Sequence, residues 1–148
     1  MTEPFPFSQA DWDRVGKAAL PCLNATLAGD RALVKSKEKA LRELLGELRR
    51  KYGDHPVLLE TEADFTENKR RRRALYEQAI QSALAGGLET YTIRIAFATH
   101  LAWDHDSQEQ GRQQLLACQR ELVRADNDDR DHWRFAMSQC CAEAECES

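Results

Sequence analysis

Turn-forming residues are scarce in this sequence. Seven glycines and four prolines are spread over 148 residues, too few for the many tight turns of a β-sandwich. Aromatic residues are also thin, at 7%. No apolar run approaches the roughly 20 residues of a membrane span: the richest stretch, Ile93 to Trp103, is short and carries Arg94 and His100. A cationic excess is missing as well. The formal net charge is -4, from 21 basic and 25 acidic residues, so the chain as a whole sets up no field that draws in a nucleic-acid backbone. The five cysteines, Cys22, Cys118, Cys140, Cys141 and Cys146, form an odd set without a CxxC pair, and no basic-then-apolar leader opens the chain. That pattern points to a reducing, cytoplasmic setting. No glycine-rich phosphate loop, nucleophile elbow or recognisable carboxylate pair appears, so nothing calls for a cofactor or for catalysis.

What is present is helical pattern. With 42% hydrophobic and 31% charged residues, the chain is too apolar for disorder and, near the usual size of one domain, has length enough for one core. Residues 1–7, with Pro4 and Pro6, read as a loose arm. Ser8 with Asp11 three residues on starts a helix to about Ala28 whose apolar face is Trp12, Val15, Ala19, Leu20, Leu23 and Leu27, with a kink or break expected at Pro21. Gly29 and Asp30 stop it and cap the next, which buries Leu33, Ala40, Leu41, Leu44, Leu45, Leu48 and Tyr52. Pro56 opens a short helix to about Phe65. Asn68 caps another through Leu84. Thr90 to Trp103 alternates apolar and polar residues as a strand does, yet no strong partner strand exists, so helix is the expectation. Ser107 with Gln110 reads as a capping box for a helix bearing Leu115, Leu116, Leu122 and Val123. A last helix carries Trp133, Ala136, Met137, Cys140 and Cys141, and the acidic tail at 146–148 frays.

Short loops make consecutive helices antiparallel neighbours. The second helix of each pair starts near Arg31, Lys69 and Gln108, about 38 and 39 residues apart, a recurrence that marks stacked helix pairs. The expected fold is therefore all-α, about seven helices in antiparallel hairpins stacked as a short α-solenoid or superhelix over residues 8–145.

The segment RRALYEQAI, Arg72 to Ile80, with its lead-in FTENKR, resembles the second helix of a tetratricopeptide repeat, Tyr76 and Ala79 standing where that family places its aromatic and small packing residues. GRQQLLACQREL offers a second match through Gly111, Leu115 and Cys118. The family's first-helix tryptophan and glycine are absent, no proline closes the repeats, and the spacing exceeds the standard repeat of roughly 34 residues. The likeness is thus to a divergent array. It implies a concave groove, lined by the first helices of the pairs, that takes up a peptide or a partner's helix, and it implies no chemistry.

Three constellations stand out. Lys69 to Arg73 places five cations in a row, a pattern of phosphate or nucleic-acid patches; only Lys69, Arg72 and Arg73 share a side. At a helix start such charge opposes the macrodipole, so pairing with Glu60, Glu62, Asp64 or Glu67 is the simpler reading. His100, Asp104 and His105 have the spacing of a weak metal site, which would make the chain a metal-dependent enzyme. Cys140, Cys141 and Cys146 with His132 lack zinc spacing, and Cys140 and Cys141 read as core residues. The favoured reading is a non-catalytic module that binds another protein or peptide, of adaptor, chaperone or toxin-neutralising type. Its contact surface is placed at Arg70, Arg71, Tyr91, Arg94 and Arg112, because arginine and tyrosine are enriched at interfaces. Trp12, Trp103 and Trp133 read as packing anchors.

Overall fold

The computed structural model describes residues 6–141. Its elements are α1 (Gln9–Ala28), α2 (Arg31–Tyr52), α3 (Pro56–Asp64), α4 (Lys69–Ala85), α5 (Tyr91–Asp104), α6 (Gln108–Ala117), a 3₁₀ segment (Gln119–Arg124) and α7 (Asn127–Cys140). No strand occurs among the described residues. The ambiguous stretch after Thr90 is helix, and the second helices of the three hairpins begin at Arg31, Lys69 and Gln108.

Side-chain caps fix most helix starts. Ser8, Asp30, Asn68 and Asp126 accept from backbone N–H groups of Asp11, Leu33, Arg71 and Asp129, satisfying donors that have no partner inside the helix. Gly29 closes α1 at φ 71°, a left-handed conformation that glycine adopts without penalty. The expected Ser107 capping box does not form: Ser107 makes no side-chain cap bond. At α5 the cap comes from far along the chain. The Glu121 carboxylate accepts from the N–H of Thr90, from Tyr91 N–H at 3.2 Å and from Thr90 Oγ1 at 2.7 Å.

Packing follows chain order. α1 lies on α2, α3 on α4 and α5 on α6, while α7 closes the end against α5 and α6. The first hairpin is antiparallel, since Asp11 at the start of α1 meets Lys51 and Tyr52 at the end of α2. Three apolar clusters result. Val15, Cys22, Leu41, Leu45, Leu48 and Leu58 fill the first, Tyr76, Ile80, Ile93, Phe97 and Leu101 the second, and Ala98, Leu115, Ala136 and Cys140 the third. The contact between α2 and α3 is smaller than that within any hairpin, and a cleft of about 110 Å³ opens beside it between Leu41, Leu45 and Phe65.

Several sequence readings need correction. Phe7 is no part of a loose arm: it is 6% exposed, stacks on Trp12 at 5.6 Å and meets Tyr52 edge-on at 4.9 Å. Residues 1–5 and the tail, with Cys146, lie outside the described residues. α1 runs unbroken through Pro21, because Val15 before it and Cys22 and Ala25 after it are buried against the hairpin and outweigh one lost backbone bond. Its buried side is Asp11, Val15, Cys22 and Ala25, whereas Leu20, Leu23 and Leu27 are exposed. The face is chosen by small residues that permit close approach and by the Asp11 network. Leu33, Leu84, Leu116 and Val123 are likewise exposed, and Cys141 follows the end of α7 rather than continuing its stripe. Trp133 is an anchor that donates to the Leu115 carbonyl at 2.9 Å. Trp103 is 69% exposed.

Candidate functional site: a groove walled by α4 and α6

Between the second helices α4 and α6 runs a groove of about 350 Å³ whose floor is α5. Its base is apolar: Phe97 and Leu101 of α5 and Ile80 of α4 bury their side chains there. The walls are polar, because helical spacing brings Arg73, Glu77 and Gln81 to one face of α4 and Gln110, Gln113 and Gln114 to one face of α6. Two arginines cross between the elements. Arg73 Nη2 donates to Gln110 Oε1 at 2.8 Å while its Nε donates to Glu77 Oε1 at 3.1 Å. Arg94 Nη1 donates to Gln114 Oε1 at 2.6 Å, and its Nε donates to Thr90 Oγ1 at 2.8 Å. Glutamines one helical turn apart on α6 thus each accept from one of the two arginines.

The groove differs from the one expected. Its walls are second helices, with a single first helix beneath them, rather than a row of first helices. The predicted contact residues also separate. Arg94 lies in the groove. Arg71 points to the other side of α4, pairing with the buried Glu62 at 3.0 Å beside the α2–α3 cleft. Tyr91 turns toward α7, where burial first and Asp129 second push its hydroxyl up to about 12. Arg112 pairs with Glu109 on its own helix, and Arg70 is exposed. Arginine and tyrosine content gave no access to direction. Gln113 and Gln114 are absent from the sequence reading, although an uncharged i, i+3, i+4 polar face on a short helix is a readable signal, and Arg73 is named there only as part of the basic run.

Three of the five cations of the basic run are drawn to different neighbours. Besides Arg71 and Arg73, Arg72 lies over the Tyr76 ring at 5.7 Å and donates to its hydroxyl at 3.3 Å. Tyr76, 0% exposed, donates in turn to Asp64 at 2.5 Å, and burial raises its pKa. Glu62 and Asp64, two of the expected acidic compensators, thus engage the run. Glu62 also binds Arg49 at 3.3 Å. Glu60 faces Thr92 instead, and burial together with Asp64 lifts it to about 7.

His100, Asp104 and His105 do come together, as a hydrogen-bond chain. Asp104 engages His100 Nδ1 at 2.6 Å, and His105 Nε2 faces His100 Nε2 at 3.0 Å. The two partners hold opposite edges of one ring, so an ion on Nε2 would not reach the Asp104 oxygen that binds Nδ1. Burial lowers the pKa of His100, against the pull of Asp104. His100 Nε2 also faces the Lys69 carbonyl at 3.2 Å, so both ring nitrogens are engaged within the fold, Nδ1 by Asp104 and Nε2 by Lys69 and His105. Among the described residues no group of three or more His, Cys, Asp or Glu is arranged to hold a metal ion. The thiols are buried and muted: burial raises Cys22 and Cys140 and pushes Cys118 up to about 11, the reverse of an activated nucleophile. No helix among the described residues is long and apolar enough to cross a membrane.

No family model, curated protein or solved structure matches the chain.

Proposed function

We propose that this chain is a non-catalytic protein-binding module, a divergent tetratricopeptide-like array working in the cytoplasm, whose α4–α5–α6 groove takes up a segment of a partner protein. The observation that carries the reading is the groove itself: an apolar floor for anchoring side chains beneath walls of side-chain amides that both donate and accept. A peptide needs both, because its backbone N–H and C=O groups must find partners on leaving water. The engagement of Arg71, Arg72 and Arg73 by separate partners weighs against a nucleic-acid surface, and the His100 chain is accounted for as internal hydrogen bonding. A photo-crosslinking amino acid at Gln113, in the groove, and separately at Lys35, on the outer side of α2, tests the reading in extract of the native cell. The expected result is a discrete protein adduct from position 113 that is missing from position 35. Equal adducts from both positions, or none from 113, would overturn it.

A further inference from the structure

Arg94 is a half-buried cation with neutral company. Its hydrogen-bond acceptors are the Thr90 hydroxyl and the Gln114 amide oxygen, and no carboxylate lies within ion-pair distance of it among the described residues. The nearest acid in its network, Glu121, is one step removed: it receives the Thr90 hydroxyl proton and spends its other oxygen on the N–H groups that open α5. The position adds to the imbalance. Arg94 stands in the first turn of α5, where the partial positive charge of the helix end disfavours a cation. A partly desolvated charge is expensive unless paired, and the N–H groups of the fork beyond the two already used meet no protein acceptor among the described residues. They are free for a ligand.

Resting on the groove reading above, we infer that the occupant is an extended peptide segment bearing an aspartate or glutamate, whose carboxylate takes the Gln114 oxygen's place and forms a two-point pair with the Arg94 guanidinium. Charge complementarity selects the acid. The groove holds Arg73 and Arg94 against Glu77, and Arg73 is already matched by Glu77, which leaves one uncompensated positive charge and suits a single carboxylate. Geometry selects the extended form. The α4 wall from Arg73 to Gln81 rises through eight residue steps, about 12 Å of helix, which accommodates about four residues of extended chain at roughly 3.3 Å each. Gln110, Gln113 and Gln114 then face the peptide backbone, and Gln114, released from Arg94, gains an oxygen to offer it.

The test uses the full chain and two pools of fluorescein-labelled hexapeptides, random except for a fixed glutamate in one and glutamine at the same place in the other, followed by fluorescence anisotropy. The glutamate pool should bind at least tenfold more tightly, and Arg94→Gln should bring the two pools within twofold, while Arg134→Gln on α7 leaves the difference intact. Gln114→Glu is the companion variant, because it supplies Arg94 with an internal carboxylate, keeps the fold and should abolish the preference. Equal binding of the pools, no binding, or a preference that survives Arg94→Gln or Gln114→Glu overturns the inference. Equal pools together with the position-113 adduct would remove the carboxylate and leave the groove, so the two readings fail separately.

Discussion

Gly111 is the point where α5, α6 and α7 come closest, and replacing it with alanine sets two effects against each other. In the body of a helix alanine is favoured over glycine by about 1 kcal/mol. At this position, however, a Cβ would sit 2.6 Å from Cys140 Sγ and 2.9 Å from the Ala98 carbonyl oxygen. Both neighbours are buried, and the second is backbone, so α6 must move bodily away from α5 and α7. Forcing an extra methyl into a packed core costs about 1–3 kcal/mol. Net destabilisation of up to about 2 kcal/mol is therefore expected for Gly111→Ala, a fall in Tm of up to roughly 8 °C for a chain of this length, read by calorimetry or by urea unfolding at unchanged m-value. Gly16 is the control. A Cβ there meets nothing within 4 Å, and Gly16→Ala should gain about 0.5–1 kcal/mol. Adding Cys140→Ala to Gly111→Ala should improve the fit of α6 by relieving the sulfur contact, with the carbonyl contact remaining. If Gly111→Ala stabilised as much as Gly16→Ala, the close three-helix junction would be refuted.

Two further perturbations test the energetics. Glu60, lifted to about 7 by burial and Asp64, binds its proton more tightly folded than unfolded, so its burial weakens the fold as pH rises from about 4.5 to 7 and adds no further change above that. Glu60→Gln should flatten that part of the stability-pH profile and raise stability at pH 8 by about 1–2 kcal/mol, allowing for the side chain's partial exposure; a profile identical to the parent's in chemical denaturation would contradict it. Removing the remote cap with Glu121→Ala should cost about 2–3 kcal/mol, since buried Thr90 and its neighbour lose a charged acceptor, and hydrogen exchange at the start of α5 should quicken more than at the start of α4.

Local signals carried much of the architecture. Ser8, Asp30 and Asn68 declare helix starts through their own side chains, and the recurrence of Arg31, Lys69 and Gln108 marks the three hairpins, whereas Asp126, in a stretch that reads as a loop, caps α7. Burial was harder to read. On α1 the leucines outscored Cys22 and Ala25 by hydrophobicity, but close approach to α2 favoured the small residues, a choice settled by a partner helix rather than by the helix's own sequence. The site was the least legible part. Arg94 was picked out by residue type, whereas its lack of a counter-ion depends on Glu121, 27 residues away, being occupied by Thr90 and Tyr91. Arg73 reads as one cation among five, and its place in the groove depends on Gln110, 37 residues away.

The thin seam between α2 and α3 has a consequence for how the molecule comes apart. From α1 to α6 the main contacts join helices adjacent in the chain, with α7 returning onto α5, so stability along the amino-terminal part is distributed as nearest-neighbour links. The weakest link lies at residues 52–56, bridged by Leu58 on the first cluster and by Arg49 reaching Glu62. The first hairpin is thus free to unlatch as a cooperative unit at lower free energy than the remainder, and native-state exchange would report residues 9–52 as one early-opening block. The groove, built wholly from α4, α5 and α6, lies on the far side of that seam and stays assembled while the amino-terminal third of the chain opens and closes.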